Sequence, residues 1–305
     1  MNSNSKQGWG GSWTDQKLDA FEAYVSSYLT IMHATRKKYE GWPREIIYFD
    51  GFAGSGSKNL SSENNTLNTL SDLLSEFSIT INEQNLYKGS CERVVRMERK
   101  FDKYYFVDTE QKALEQLKNK LQSENIDINN CNFICGDVNQ KIEKFIEAWN
   151  NQKTALILLD PFGMQVNWNT IEKMKDKRID LWILVPSGVI INRLLDNKGE
   201  LKHIELLERH LGMSKDEIKN YFYEEKTEQT LFGENNITEK KKNTIHKLAE
   251  KYVEKMKSIF KYVTEKPLEL KNSKNVTIFH FVFASNNKAA YKIASQIIER
   301  KQKRI

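Results

Sequence analysis

Glu45-Ile46-Ile47-Tyr48-Phe49-Asp50-Gly51-Phe52-Ala53-Gly54-Ser55-Gly56 is the stretch that decides the fold. Its β-branched and aromatic start predicts a buried strand. The strand closes on an acid, and Gly51, Gly54 and Gly56 follow at once. A strand that stops in such a turn brings bare backbone to the carboxyl end of a parallel sheet, where open α/β folds bind ligands. Glycine suits the turn because a side chain would block close approach and resist the dihedrals required. The spacing Asp50-x-Phe52-x-Gly54-x-Gly56 is not the dinucleotide fingerprint with its third glycine, nor does it carry the Lys-Ser/Thr of a phosphate loop. A carboxylate at the strand end fits a cationic group better than a pyrophosphate. S-adenosylmethionine, with its ammonium and sulfonium, is such a ligand. A tight turn with no ligand is the competing reading.

Three further strand ends extend the pattern. Lys103-Tyr104-Tyr105-Phe106-Val107-Asp108 is a second strand ending in an acid. An acid at that place holds ribose hydroxyls in nucleotide-binding α/β folds. Asp108 is the candidate and Glu110 the second choice, with a helix cap as the alternative role for Asp108. Asn132-Phe133-Ile134-Cys135 runs into Gly136-Asp137, and Asp137 fits an adenine amino group. Ala155-Leu156-Ile157-Leu158-Leu159-Asp160-Pro161-Phe162-Gly163 reads as a central strand buried on both faces. Asp160 with the Pro161 carbonyl would orient the lone pair of a planar amine, and Phe162 would give its ring a stacking face. Asp160 as a cap with Phe162 in the core is the alternative.

Strands and helices alternate, so the class is α/β with a mostly parallel sheet and helices on both faces. Residues 1–44 read as an N-terminal helical extension, with helix over 13–39, and 45–305 as one domain. The polar stretch 57–88 reads as an insertion, and about 189–258 as a helical one. Arg193, Arg209 and His210 there are candidate substrate contacts, and 238–258 is predicted to be a basic amphipathic helix. Ile179–Val185 is the fifth strand, Phe260–Thr264 and Val276–Ala284 are late strands, and Lys288–Lys303 is a closing helix.

No apolar run approaches the length needed to span a membrane. Met1 to Gly11 is polar, with no signal-peptide core, so a cytoplasmic protein is the expectation. The cysteines, Cys91, Cys131 and Cys135, are too few and too poorly spaced for a disulfide framework or a zinc site, and no metal is expected. Net charge is +6, unevenly spread: Thr238 to Ile305 holds 17 Lys+Arg against 6 Asp+Glu, a net +11, which leaves −5 for the rest. That is compatible with RNA or DNA bound through 238–305, or with a lysine-rich solvated face.

Across most of its length the chain resembles the three-Cys-motif partner family, TcmP. The matching pieces are Trp13-Thr14 with Lys17, Tyr48 to Gly54, Gly89-Ser90, Phe106-Val107-Asp108, Leu158 to Val166 and Phe283-Ala284-Ser285. The resemblance implies a Rossmann-like class I S-adenosylmethionine-dependent methyltransferase fold with a mostly parallel seven-stranded sheet. It also implies a partner, a three-cysteine, radical-type iron–sulfur protein whose motif this chain lacks. Gly51 replaces the usual aliphatic and Ser55 a frequent proline. The Asp-x-Phe-Ala-Gly-Ser-Gly loop is similar to that of ribosomal RNA guanine-N2 methyltransferases. Asp160-Pro161-Phe162-Gly163 looks like the motif of tRNA guanosine-N2 dimethyltransferases. Cytosine-C5 enzymes need a cysteine after strand four, and none follows Cys135. The expectation is N-methylation of a nucleobase amine. Asp50, Gly51, Phe52, Gly54 and Gly56 would hold the amino-acid end of the cofactor, Asp108 its ribose and Asp137 its adenine. A binding subunit of the iron–sulfur protein, acting in defence against mobile DNA, is the alternative.

Overall fold

The computed structural model describes residues 11–55, 89–188, 191, 194–230, 233–272 and 274–303. The opening stretch forms β1 (Glu45–Asp50), which pairs in parallel with β2 (Lys103–Asp108) on one side and β4 (Lys153–Leu159) on the other. It is apolar on both faces because both are covered. Ile47 and Phe49 enter one core cluster, Ile46 and Tyr48 the other.

β3 (Cys131–Cys135) lies beyond β2, and β5 (Ile179–Val185) beyond β4, all parallel. The far edge is antiparallel. β10 (Thr277–Ser285) pairs with β5, and both β8 (Tyr262–Val263) and β9 (Leu268–Lys271) pair with the outer side of β10. The order is β3-β2-β1-β4-β5-β10-β8, with β9 also on β10. That is eight strands where seven were expected, because the edge strand is interrupted. Pro267, just ahead of β9, has no amide hydrogen to give the ladder.

Helices cover both faces. On one lie α1 (Gly11–Lys38), α2 (Ser90–Val95), α3 (Gln111–Ser123) and α9 (Lys288–Gln302). On the other lie α4 (Val138–Glu147), α5 (Trp168–Glu172), α6 (Ile204–Leu211), α7 (Lys215–Phe222) and α8 (Thr244–Met256). The expected extension is therefore part of the second layer. Phe21, Tyr24, Val25 and Tyr28 of α1 are buried against the sheet, and Trp13 packs on Phe279.

The insertion read as helical departs from expectation over 223–240. β6 (Tyr223–Thr230) and β7 (Gly233–Lys240) form a separate antiparallel hairpin. β-branched Thr227, Thr230, Ile237 and Thr238 favour strand, and Lys226 pairs with Glu224 and, across the hairpin, with Glu239. The basic helix accordingly begins at Thr244, not 238. The stretch 57–88 and Arg193 lie outside the described residues.

Candidate active site

The strand order reverses between β1 and β4, and open α/β sheets bind ligands at the carboxyl ends flanking such a point. Both strong sequence stretches end there. Gly51 N donates to Leu158 O at 2.9 Å, which seats the glycine turn against the last residues of β4.

Asp50, expected at the amino-acid end of the cofactor, is buried and held by its own chain. It is 0% exposed. Its Oδ2 accepts from Ser90 Oγ (2.6 Å), Tyr48 OH (2.7 Å) and Cys91 Sγ (3.3 Å), and its Oδ1 from Phe52 N (3.1 Å). Burial raises its pKa, and these donors oppose the rise. The same burial, with Asp50 beside it, pushes the Cys91 thiol well up. Asp50 thus ties β1, the turn and the start of α2 together. No single signal in the sequence marks Tyr48, Ser90 and Cys91 as its partners.

Gly51 also has a packing role. A Cβ there would lie 2.7 Å from Leu159 Cδ2 and 2.7 Å from Val138 Cγ2. Phe52 is half-buried against the first core cluster. Gly54 is the turn's left-handed residue, at φ +61°, and a Cβ added there would meet nothing within 4 Å. Among the described residues the turn is therefore open on that side. Gly56 lies outside the described residues.

Asp108 closes the turn from β2. Its Oδ2 accepts from Gly54 N at 2.8 Å and its Oδ1 from Glu110 N at 2.9 Å. Each oxygen keeps a second acceptor site. Asp137 caps α4, with Oδ1 accepting from Asn139 N and Gln140 N at 3.0 and 3.2 Å, and its side chain is exposed. Both acids stand at adjacent strand ends on the turn's side of the reversal point.

On the other side stands Asp160. Leu158 belongs to the core cluster beneath α1 and Leu159 to the opposite one, so strand alternation sends Asp160 toward α1. There its Oδ2 lies 2.5 Å from Lys17 Nζ, the two side chains being 22% and 7% exposed. Lys17 is also 5.5 Å from the Trp13 ring centre. The ammonium on Asp160 is the feature that residue-by-residue reading missed. Its only trace in the sequence was Lys17's place in the family resemblance. Pro161 is buried, and Phe162 is 42% exposed, so the core reading of that ring does not hold.

His210, a suggested substrate contact, is instead a core residue. It is 0% exposed, its Nδ1 meets Val166 O at 3.0 Å, and burial lowers its pKa to about 4. The basic C-terminal segment does not form one surface, since α8 and α9 pack on opposite faces of the sheet. Several of its lysines are also engaged locally: Lys251 with Glu254, Lys257 with Glu265 and Lys301 with Asp19. Among the described residues no helix is long and apolar enough to cross a membrane.

No family model matches the chain, and no curated protein matches it. Among solved structures it is similar to protein LPL1258 from Legionella pneumophila, at 13% identity over 92% of this chain and 99% of that one, TM-score 0.40. An rRNA methylase from Streptococcus thermophilus aligns at 13% identity over 72% and 93% of the two chains, TM-score 0.32. The N-terminal domain of EvdMO1, determined with SAH and D-fucose, aligns at 9% identity over 85% and 82%, TM-score 0.34. The α/β class itself rests on the strand order and the two helical layers.

Proposed function

We propose that this protein transfers a methyl group from S-adenosylmethionine to an exocyclic nitrogen of a nucleobase. The observation that carries the reading is the pairing, at one reversal point, of an open glycine turn with Asp160 and an exposed Phe162 ring. The residues fit such a cofactor. Gly54 leaves the backbone bare for its amino-acid end, and Asp108 and Asp137 would accept from ribose hydroxyls and the adenine amine.

The cofactor supplies an electrophilic methyl on sulfonium. Asp160 would accept a hydrogen bond from the target N–H and aim the nitrogen lone pair, with the Pro161 carbonyl as second acceptor. Phe162 would hold the base plane. Asp160 or water would take up the proton that leaves the amine. The step needs alignment more than strong base catalysis. Lys17 would fix the Asp160 carboxylate by one oxygen and leave the other for the amine.

The test is methylation of RNA and DNA with labelled cofactor. Asp160→Ala, which removes the acceptor, is expected to lower the rate by roughly 10²–10⁴-fold. Unchanged activity in that variant removes the mechanism.

A second reading is favoured by the same ion pair. An ammonium already seated on Asp160 suits a chain that keeps the fold but works as the binding subunit of the iron–sulfur protein implied by the resemblance. Calorimetry separates the two: a stable complex with such a protein and no heat on adding S-adenosylmethionine would favour binding over catalysis.

A further inference from the structure

On the face of the sheet opposite α1, three side chains that methyl transfer does not use converge. Glu269 of β9 and His280 of β10 are directly paired across the two strands, so their side chains leave the sheet on one face. The first turn of α8 lays His246 over them: His246 Nδ1 is 3.9 Å from Glu269 Oε1, and the two imidazole centres are 6.1 Å apart. One ligand atom from each of the three lies within 4.8 Å of the others. We propose that His246, Glu269 and His280 form a binding site for a divalent transition-metal ion, with zinc the best fit to two imidazoles and one carboxylate.

Surrounding groups orient the ligands as a metal site requires. The Ser187 hydroxyl hydrogen-bonds Nδ1 of His280, which leaves Nε2 as the coordinating atom. Thr277 Oγ1 donates to Glu269 Oε2 at 3.2 Å, and Lys271 Nζ lies 3.8 Å from that same oxygen. Oε1 is thereby the oxygen turned to His246. His280 and Ser187 are buried and set a rigid floor, whereas the His246 side chain is 55% exposed and the Glu269 side chain 30%. Bonds of about 2.0–2.1 Å to zinc bring tetrahedral ligands to about 3.3 Å from one another, so closure falls mainly on the exposed His246. The fourth position then opens to solvent, as in zinc sites that hold a water or a substrate oxygen.

The location gives the ion a relation to the cleft. His280 is paired with Val185, the last residue of β5, and β5 is the immediate neighbour of β4. At roughly 4.8 Å per strand the site is about 10 Å along the sheet from the β4 backbone, at the same carboxyl end. An ion there would lie at the carboxyl end of the sheet on the face opposite the Asp160–Lys17 pair, and offer a cationic contact to an oxygen ligand such as phosphate.

The test uses the full chain, stripped with chelator and titrated with Zn²⁺ by calorimetry and with Co²⁺ by visible absorption. One equivalent is expected to bind with a Kd of about 1 µM or tighter. His246→Ala and Glu269→Gln, both at partly exposed positions, are each expected to weaken binding by about 30-fold or more while the melting temperature of the metal-free protein stays put. Zn²⁺ is expected to raise the melting temperature of the parent protein and not of the variants. A Cys131→Ser/Cys135→Ser double variant is expected to keep the site. Absence of a stoichiometric ion overturns the proposal, as does affinity that survives both the His246 and Glu269 changes or vanishes with the cysteines.

Discussion

β1 and β4 lie side by side, and an aspartate follows the apolar run of each, yet the two carboxylates have opposite surroundings. Asp50 is sealed, with four donors from its own chain on its two oxygens. Asp160 sits at the rim, with a single ammonium on one oxygen. A buried carboxylate that has consumed its acceptor capacity holds the fold together, and a rim carboxylate with spare capacity is available for chemistry. In sequence the two look alike: apolar run, acid, turn residue, aromatic.

Substitution of the two aspartates is expected to separate them, and the effect on transfer is the largest. Asp160→Ala is expected to remove roughly 10²–10⁴-fold of any methyl transfer, with a smaller loss of stability than at Asp50 because the Asp160 carboxylate is itself partly exposed. Asp50→Ala is expected to do the reverse. It strands two hydroxyls and an amide in a sealed site, at about 2–4 kcal/mol, read as a fall in the urea midpoint. Equal loss of stability in both variants would erase the contrast.

Asp180 of β5 sharpens it as a third acid. It is buried, accepts from Tyr24 OH at 2.6 Å and Ser285 Oγ at 2.5 Å, and has its pKa raised by burial from 3.8 to about 6. The folded state then holds the proton more tightly than the unfolded state. Its contribution to stability is complete below pH about 4 and is lost as pH rises through about 6. Asp180→Asn is expected to flatten that decline, which amounts to about 3 kcal/mol at most between pH 4 and 7. Denaturant melts of both proteins across that range are the measurement.

Smaller effects are expected at the turn and at Lys17. Gly54→Ala forces a Cβ onto a φ of +61° and is expected to cost about 1–2 kcal/mol, although among the described residues the space beside it is open. Lys17→Met is expected to lower transfer by about tenfold, a loss of roughly 1.4 kcal/mol in orientation, with stability changed by less than that. A rise in transfer on removing Lys17 would mean that its ammonium blocks Asp160 rather than positioning it.

The backbone of the fold was legible because it follows from local pattern. Apolar runs buried on both faces marked β1, β2, β4 and β5, and their alternation with helices required a parallel sheet. The hairpin at 223–240 was missed because its strands are polar and charged, so neither period stands out. The division of the strand-end acids was illegible because most of their partners are far away in sequence. Tyr48 is Asp50's near neighbour, but Ser90 and Cys91 arrive from forty residues away, and Lys17 reaches Asp160 from 143 away. His246, Glu269 and His280 carry no spacing signature because three separate elements bring them together.

The sequence by itself determined the class of the fold and the short list of acids at its strand ends, since burial periodicity and turn chemistry act over a few neighbouring residues. Which acid is sealed, which is paired at the rim and where the basic helices point were decided only in three dimensions. A carboxylate's acceptor capacity is filled by whatever the packed chain brings within about 3 Å of it, and that depends on the whole topology.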